Sequence, residues 1–152
     1  FNRYRSEAPQ KLEQVADRSI LKIYSFDKDN PLDFSWLVKA VLNDLQNGVP
    51  RSEIASAFHR TYAAMWCVEL AKQAVRQKLS RVVLCGGVFQ NKLLVDILMP
   101  MLRQLGLQPY LPASVPCNDA GIAVGQMAVT AAWIEQSMNH NDKRHARVVV
   151  GL

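Results

Sequence analysis

What the chain has little of narrows its biology before any motif is read. Its three cysteines, Cys67, Cys85 and Cys117, are an odd, widely spaced set without a Cys-x-x-Cys pair. Neither a disulfide framework nor a zinc cage is therefore readable, and a reducing compartment is favoured. No apolar run approaches the roughly 18 residues that a membrane span needs, and no charged-then-apolar leader stands at the start. A soluble, cytoplasmic protein with no membrane partner is expected. The chain opens on Phe1 rather than methionine, so a piece of a longer polypeptide is expected as well.

Enough apolar sequence remains for one core. With 152 residues, 49% of them hydrophobic and 20% charged, a single domain can bury about 68–70% of its unfolded surface. The net charge of +5 permits attraction to nucleotides, acidic proteins or nucleic acid without choosing among them. The basic residues are spread along helical patterns, apart from Lys143, Arg144 and Arg147, which makes nucleic acid the weaker partner.

The most informative stretch is Val82-Val83-Leu84-Cys85-Gly86-Gly87-Val88-Phe89-Gln90-Asn91. A short β-branched run breaks into two glycines and opens a helix. Glycine lets backbone approach a bound group without a Cβ in the way, and a helix N-terminus supplies free N–H donors. The stretch nevertheless lacks the spaced glycines of a dinucleotide fingerprint and the Gly-Lys-Ser/Thr of a phosphate loop. A nucleotide seat and a plain tight turn both fit it.

In chain order, Glu7 to Arg18 reads as a short amphipathic helix and Leu21 to Phe26 as an edge strand. A helix capped by Asp33 runs to Gly48, and the longest periodic run extends from Arg51 to about Leu79. On that helix His59, beside Phe58, fits a packed histidine as well as a functional one. Asn91 should cap a helix stopped by Gly106, with Pro100 kinking or dividing it. Gln108 to Leu111 forms a strand, and Pro112 to Asn118 a loop. Asp119 then caps a small-residue helix, Ala120 to Ala128. There Gly121 and Gly125 leave a bare face for close packing or a ligand. A polar, basic tail is expected over 137–152, with Val148 to Val150 able to pair as a strand. Helices alternating with strands indicate an α/β domain.

Two segments carry a resemblance. Cys85-Gly86-Gly87-Val88-Phe89-Gln90-Asn91 with Leu93-Leu94, followed downstream by Val115-Pro116-Cys117-Asn118-Asp119-Ala120-Gly121-Ile122-Ala123-Val124-Gly125-Gln126, resembles the carboxy-terminal end of the HypF family. These are the carbamoyltransferases of nickel–iron hydrogenase maturation. Ile54 to His59 is similar to the family's Ala-x-x-Phe-His segment. The resemblance implies that residues 1–136 are the later half of a domain related to tRNA threonylcarbamoyltransferases, with an actin-like, ribonuclease-H-like nucleotide-binding fold. It further implies use of carbamoyl phosphate and ATP to make carbamoyl adenylate, with transfer of the carbamoyl group to the C-terminal cysteine of the partner HypE. Upstream domains of the same chain, including zinc modules, would carry any zinc. Gly86, Gly87, Asn91 and Gly121 fall at nucleotide-binding positions of the family. Asp119 falls at its metal-binding aspartate, for a divalent ion of unspecified identity. The family's paired histidines have no counterpart here, since His59, His140 and His145 stand elsewhere. Ala120 replaces a common glycine.

Asp119 has a second reading as part of a helix N-cap with Asn118, worth about 1 kcal/mol. Two other functions also remain open. Cys85 could be a nucleophile at a strand-to-helix elbow, although of the two flanking positions that should be small, Val83 and Gly87, only Gly87 is. Alternatively, the domain could be a noncatalytic nucleotide- or protein-binding module.

Overall fold

A helix of 27 residues, α3 (Arg51–Gln77), forms the spine of the computed structural model, which describes residues 7–140. Pro50 stands at its N-cap, where its missing N–H costs nothing. The apolar face of α3 is so broad that it meets two separate clusters. Ala57 and Met65 pack with Tyr24 and Leu37 on one side. Ala63 and Cys67 pack with Leu84, Leu94, Leu98, Leu102 and Leu107 on the other. Burial pushes the Cys67 thiol up to about 11, so this sulfur is an inert packing group.

Around α3 the order is α1 (Glu7–Val15), α2 (Ser35–Gln46), then β1 (Arg81–Val83), α4 (Lys92–Gln104), β2 (Gln108–Tyr110) and α5 (Ile122–His140). The two strands pair in parallel, Val82 opposite Pro109, so β1–α4–β2 is a crossover unit with α4 packed on α3. Strand pairing carries on past the assigned residues, as the Leu84 N–H donates to the Tyr110 carbonyl at 2.8 Å. A β–α–β crossover is the expected α/β element.

Several expected boundaries shift, each for a local reason. The segment Leu21 to Phe26 is not a strand. Its Tyr24 N–H donates to Thr61 Oγ1 at 2.9 Å, and the carbonyl of Ile20 just before it accepts from Arg60 Nε at 2.6 Å, so side chains of α3 replace a ladder. The alternation is real, but Lys22, Tyr24 and Phe26 face inward while Leu21 and Ile23 are exposed. Helix α1 stops at Val15 because the Asp17 carboxylate takes the Ser19 N–H and hydroxyl, a local turn that competes with helix. Asp33 sits one position before the N-cap of α2, Phe34, and accepts the Ser35 N–H at 2.9 Å. Gly48 (φ +72°) follows the α2 C-cap Asn47 in the left-handed conformation that ends helices. Pro100 does not divide α4, which runs through it with the proline on the exposed face.

The final helix differs most from expectation. Asn118, not Asp119, provides the cap, its Oδ1 accepting the Ala120 N–H at 3.1 Å. One 3-10 turn (Asp119–Gly121) precedes α5, which starts at Ile122 and reaches His140. The run Val148 to Val150, and all of 141–152, lie outside the described residues.

Candidate functional site

The C-terminal end of β1 opens into the glycine turn, and this is where the chemistry-bearing residues converge. Gly86 has φ +110° and ψ 156°, a region open in practice only to glycine. Its N–H donates to the Cys117 carbonyl at 2.5 Å. One hydrogen bond thus brings the two sequence segments, the glycine turn and the 112–118 loop, to one end of the sheet. Gly87 starts a 3-10 turn through Gln90, with open space where a Cβ would stand.

Asn91 then caps α4, its Oδ1 accepting the Leu94 N–H at 2.8 Å. Its Nδ2 lies 2.9 Å from Nε2 of His59, whose Nδ1 is 2.7 Å from the Ala55 carbonyl. A second helix N–H is also taken, since Leu93 donates to Glu13 Oε1 at 3.0 Å. The helix N-terminus, which seemed free to receive an anion, is occupied by a carboxylate from α1. Glu13, Pro9, Gly87, Val88, Gln90 and Asn91 line a cavity of about 260 Å³ above the turn. Below it, Tyr62, Trp66, Val83, Cys85, Val88 and Phe89 enclose an apolar cavity of about 280 Å³.

The remaining predicted site residues lie at the other segment. Asp119 is exposed, and because Asn118 makes the cap hydrogen bond, its carboxylate is not consumed by the fold. No group of three metal-ligating side chains occurs among the described residues, and a single exposed carboxylate is too few donors to hold a divalent ion by itself. A Cβ on Gly121 would overlap the Pro116 carbonyl oxygen and lie 3.1 Å from Val115 Cγ1. The bare face at Gly121 is therefore filled by the loop. At Gly125 nothing stands within 4 Å, so the close packing expected there is absent among the described residues.

Cys85 is exposed at the turn. His59 is the one histidine among residues 7–137, and both of its ring nitrogens are engaged elsewhere. Engaged in this way, it is not placed to serve Cys85 as a general base.

Sequence reasoning missed Glu13 and the His59–Asn91 pair. Glu13 carries no local signal, because its partner lies on a helix far along the chain. The histidine's place on the buried face of α3 was visible, but not what it met.

A family model described as "Carbamoyltransferase, Kae1-like Domain, second subdomain" matches residues 1–126. The chain belongs to this family. It is similar to the carbamoyltransferase HypF of Rhizobium leguminosarum bv. viciae, 35% identical over 128 residues that cover 82% of this chain and 16% of that protein. It is also similar to a probable bifunctional tRNA threonylcarbamoyladenosine biosynthesis protein of Methanosphaera stadtmanae, 29% identical over 103 residues, covering 67% of this chain and 19% of the relative. Among solved structures, a full-length HypF in its phosphate- and nucleotide-bound form superposes with a TM-score of 0.78 and 26% identity, over 88% of this chain and 18% of that one. The chain spans less than a fifth of the length of each of these relatives. Its parallel β–α–β unit with flanking helices is the expected later part of a Kae1-like domain in the HypF family.

Proposed function

We propose that this chain supplies one wall of the nucleotide site of a HypF-type carbamoyltransferase. The observation that carries the reading is the cavity where Gly87, Asn91 and Glu13 meet. At about 260 Å³ it falls just below the usual range of about 300–1,000 Å³ for small-molecule sites, enough for part of a nucleotide. The placement of Glu13 favours one part over the other. Its carboxylate at the α4 N-terminus repels phosphate and accepts hydrogen bonds from hydroxyls, so the nucleoside end of ATP docks here and the phosphates point away. Glycine at positions 86 and 87 lets the ligand lie against backbone. Gly121 contributes indirectly, by letting the 112–118 loop sit close.

In the reaction so proposed, carbamoyl phosphate loses inorganic phosphate by hydrolysis to leave carbamate, whose oxygen attacks the α-phosphorus of ATP. The α–β phosphoanhydride bond breaks, pyrophosphate leaves and carbamoyl adenylate forms. The thiol of the partner HypE's C-terminal cysteine then attacks the carbamoyl carbon. A C–S bond forms, the bond to the adenylate oxygen breaks, AMP leaves and the thiol proton passes to water. The residues of this chain hold and orient the adenosine, and holding reactants in line is itself a large part of such catalysis. Asp119 is proposed as one donor only to a divalent ion. Zinc is assigned to other modules of the longer relatives, and the cytoplasm is the proposed compartment.

The test is calorimetry of ATP and AMP binding to the full-length gene product. Asn91→Ala should weaken binding by about 1–3 kcal/mol, the cost of leaving a polar partner unpaired. Unchanged affinity would remove Asn91 from the site. Incubation with ATP, carbamoyl phosphate and a peptide ending in cysteine should give a thiocarbamate by mass spectrometry.

A further inference from the structure

Beside the apolar contacts of Tyr62 and Trp66, a hydrogen-bonded side-chain pair joins α3 to the glycine turn, and its chemistry is over-determined. The Ala55 carbonyl can only accept, so the His59 Nδ1 that lies 2.7 Å from it carries the proton. In the neutral ring Nε2 is then an acceptor, and the group 2.9 Å away must donate. That group is the Asn91 amide, whose oxygen is independently required by the Leu94 N–H at 2.8 Å. Both ends agree on one orientation of the carboxamide. Flipping it would set the amide NH₂ against the Leu94 N–H and leave two acceptors facing each other at His59.

Asn91 also lines the cavity beside Glu13 and Gly87. After its two internal bonds the carboxamide keeps one N–H and one lone pair. Amide torsions of this kind are broad and roughly two-fold when nothing pins them. His59, 4% exposed and anchored on the most buried stretch of α3, is the pin.

We infer that His59 is a positioning residue of the nucleoside pocket, which sets through Asn91 the donor–acceptor pattern that the ligand meets. This rests on the reading of the cavity as a nucleoside site. His59 touches no ligand itself. It converts a helix cap, which needs only the Asn91 oxygen, into a directional recognition group.

The test compares adenine-nucleotide binding and His59 tautomer state in the full-length gene product. His59→Phe should weaken AMP binding about tenfold, the scale of one hydrogen bond, whereas His59→Gln, which offers an acceptor and a donor at similar separation, should stay within about threefold of wild type. In an Asn91→Ala background His59→Phe should add less than about twofold, because the two residues act as a unit. Long-range proton–nitrogen NMR on the wild type should show His59 protonated at Nδ1 and bare at Nε2. A proton on Nε2, or His59→Phe binding as wild type, would overturn the inference. Should His59→Phe not fold, the tautomer and the His59→Gln affinity still decide it, since a loss in His59→Gln as large as in Asn91→Ala also overturns it. Wild-type protein that binds no adenine nucleotide while His59 is protonated at Nδ1 would instead refute the nucleoside reading.

Discussion

Helices α3 and α5 are both rich in alanine and other apolar residues, yet they live in opposite surroundings. Ten residues of α3 are buried, with Ala55, Ala57, Ala63 and Met65 fully so. Along α5 every described side chain is exposed, including Met127 at 67% and Trp133 at 69%. The difference lies in pattern. In α3 charged residues interrupt the apolar ones, and two clusters receive its two sides. In α5 apolar residues run all round, and the described residues provide a surface only at its foot, where Gly121 meets the 112–118 loop. A helix gains stability chiefly from tertiary burial rather than propensity, so α3 should define the global stability and α5 should open locally.

The largest expected effect breaks α3. Met65→Ala removes a fully buried side chain between Leu37 and Tyr24 and should cost about 2–5 kcal/mol in urea melts. Trp133→Ala, the larger truncation by volume, should stay within about 0.5 kcal/mol. Equal losses at the two sites would show that α5 is packed as α3 is.

The two glycines of α5's foot sharpen the same contrast within one turn. Gly121→Val drives a side chain into the Pro116 carbonyl and Val115 and should destabilise by about 1–3 kcal/mol. Gly125→Val meets nothing within 4 Å, and glycine is itself a poor helix residue, so a neutral or slightly stabilising change is expected in a thermal melt.

The contrast also bounds what could be read without coordinates. Helices α2, α3 and α4 were legible because apolar spacing and caps act locally, and Asn91 and Gly48 perform as their residue types predict. The β1–turn–α4 joint was legible for the same reason. Leu21 to Phe26 was not, because strand-like alternation records one-sided burial and says nothing about whether a ladder or the side chains of α3 satisfy the backbone. At the site, Gly86 and Gly87 announced themselves through backbone need. Glu13 and His59 did not, since each acquires its role from a partner on another helix. Gly125 looked equivalent to Gly121 in sequence, and only the path of the 112–118 loop separates them.

A smaller effect tests how the irregular segment is tied to the spine. Lys22 Nζ lies 2.9 Å from Asp44 Oδ2 and 3.0 Å from Glu53 Oε1, and the Tyr24 hydroxyl donates to Asp44 Oδ2 at 2.8 Å. The Lys22 ammonium first, and the Tyr24 hydroxyl second, hold the Asp44 carboxyl below the ordinary carboxylate value. Its folded value is thus depressed, so its contribution is present above about 3.8 and is lost as pH falls through the folded value. Hydrogen bonds to Asp44 and Glu53 push Lys22 up to about 12 from 10.5. That contribution is complete below 10.5 and lost as pH rises through about 12. Asp44→Asn should flatten both the acid and the alkaline arms of a melting-temperature profile. A profile unchanged at both ends would show that the network adds nothing to folding.

The smallest effect is expected at Asp119, and its smallness is informative. Asp119 stands at the foot of α5, as Asn91 stands at the foot of α4, but the two feet are built differently. Asn91 is a cap, and its loss exposes the Leu94 N–H and strands His59, with a cap alone worth about 1 kcal/mol. At α5 the neighbouring Asn118 does the capping, and the Asp119 carboxylate faces solvent. Asp119→Asn should therefore leave stability within about 0.5 kcal/mol of wild type. Metal retention follows the same logic. A hard divalent ion wants about six or more oxygen donors in fixed geometry, and the described residues gather no cluster of three ligating side chains. After dialysis, elemental analysis of this 152-residue chain should find far less than one ion per molecule, in the Asp119→Asn variant as in the wild type. One retained equivalent, lost with Asp119→Asn, would mean that residues 7–140 close around Asp119 in a way the exposed 3-10 turn does not show.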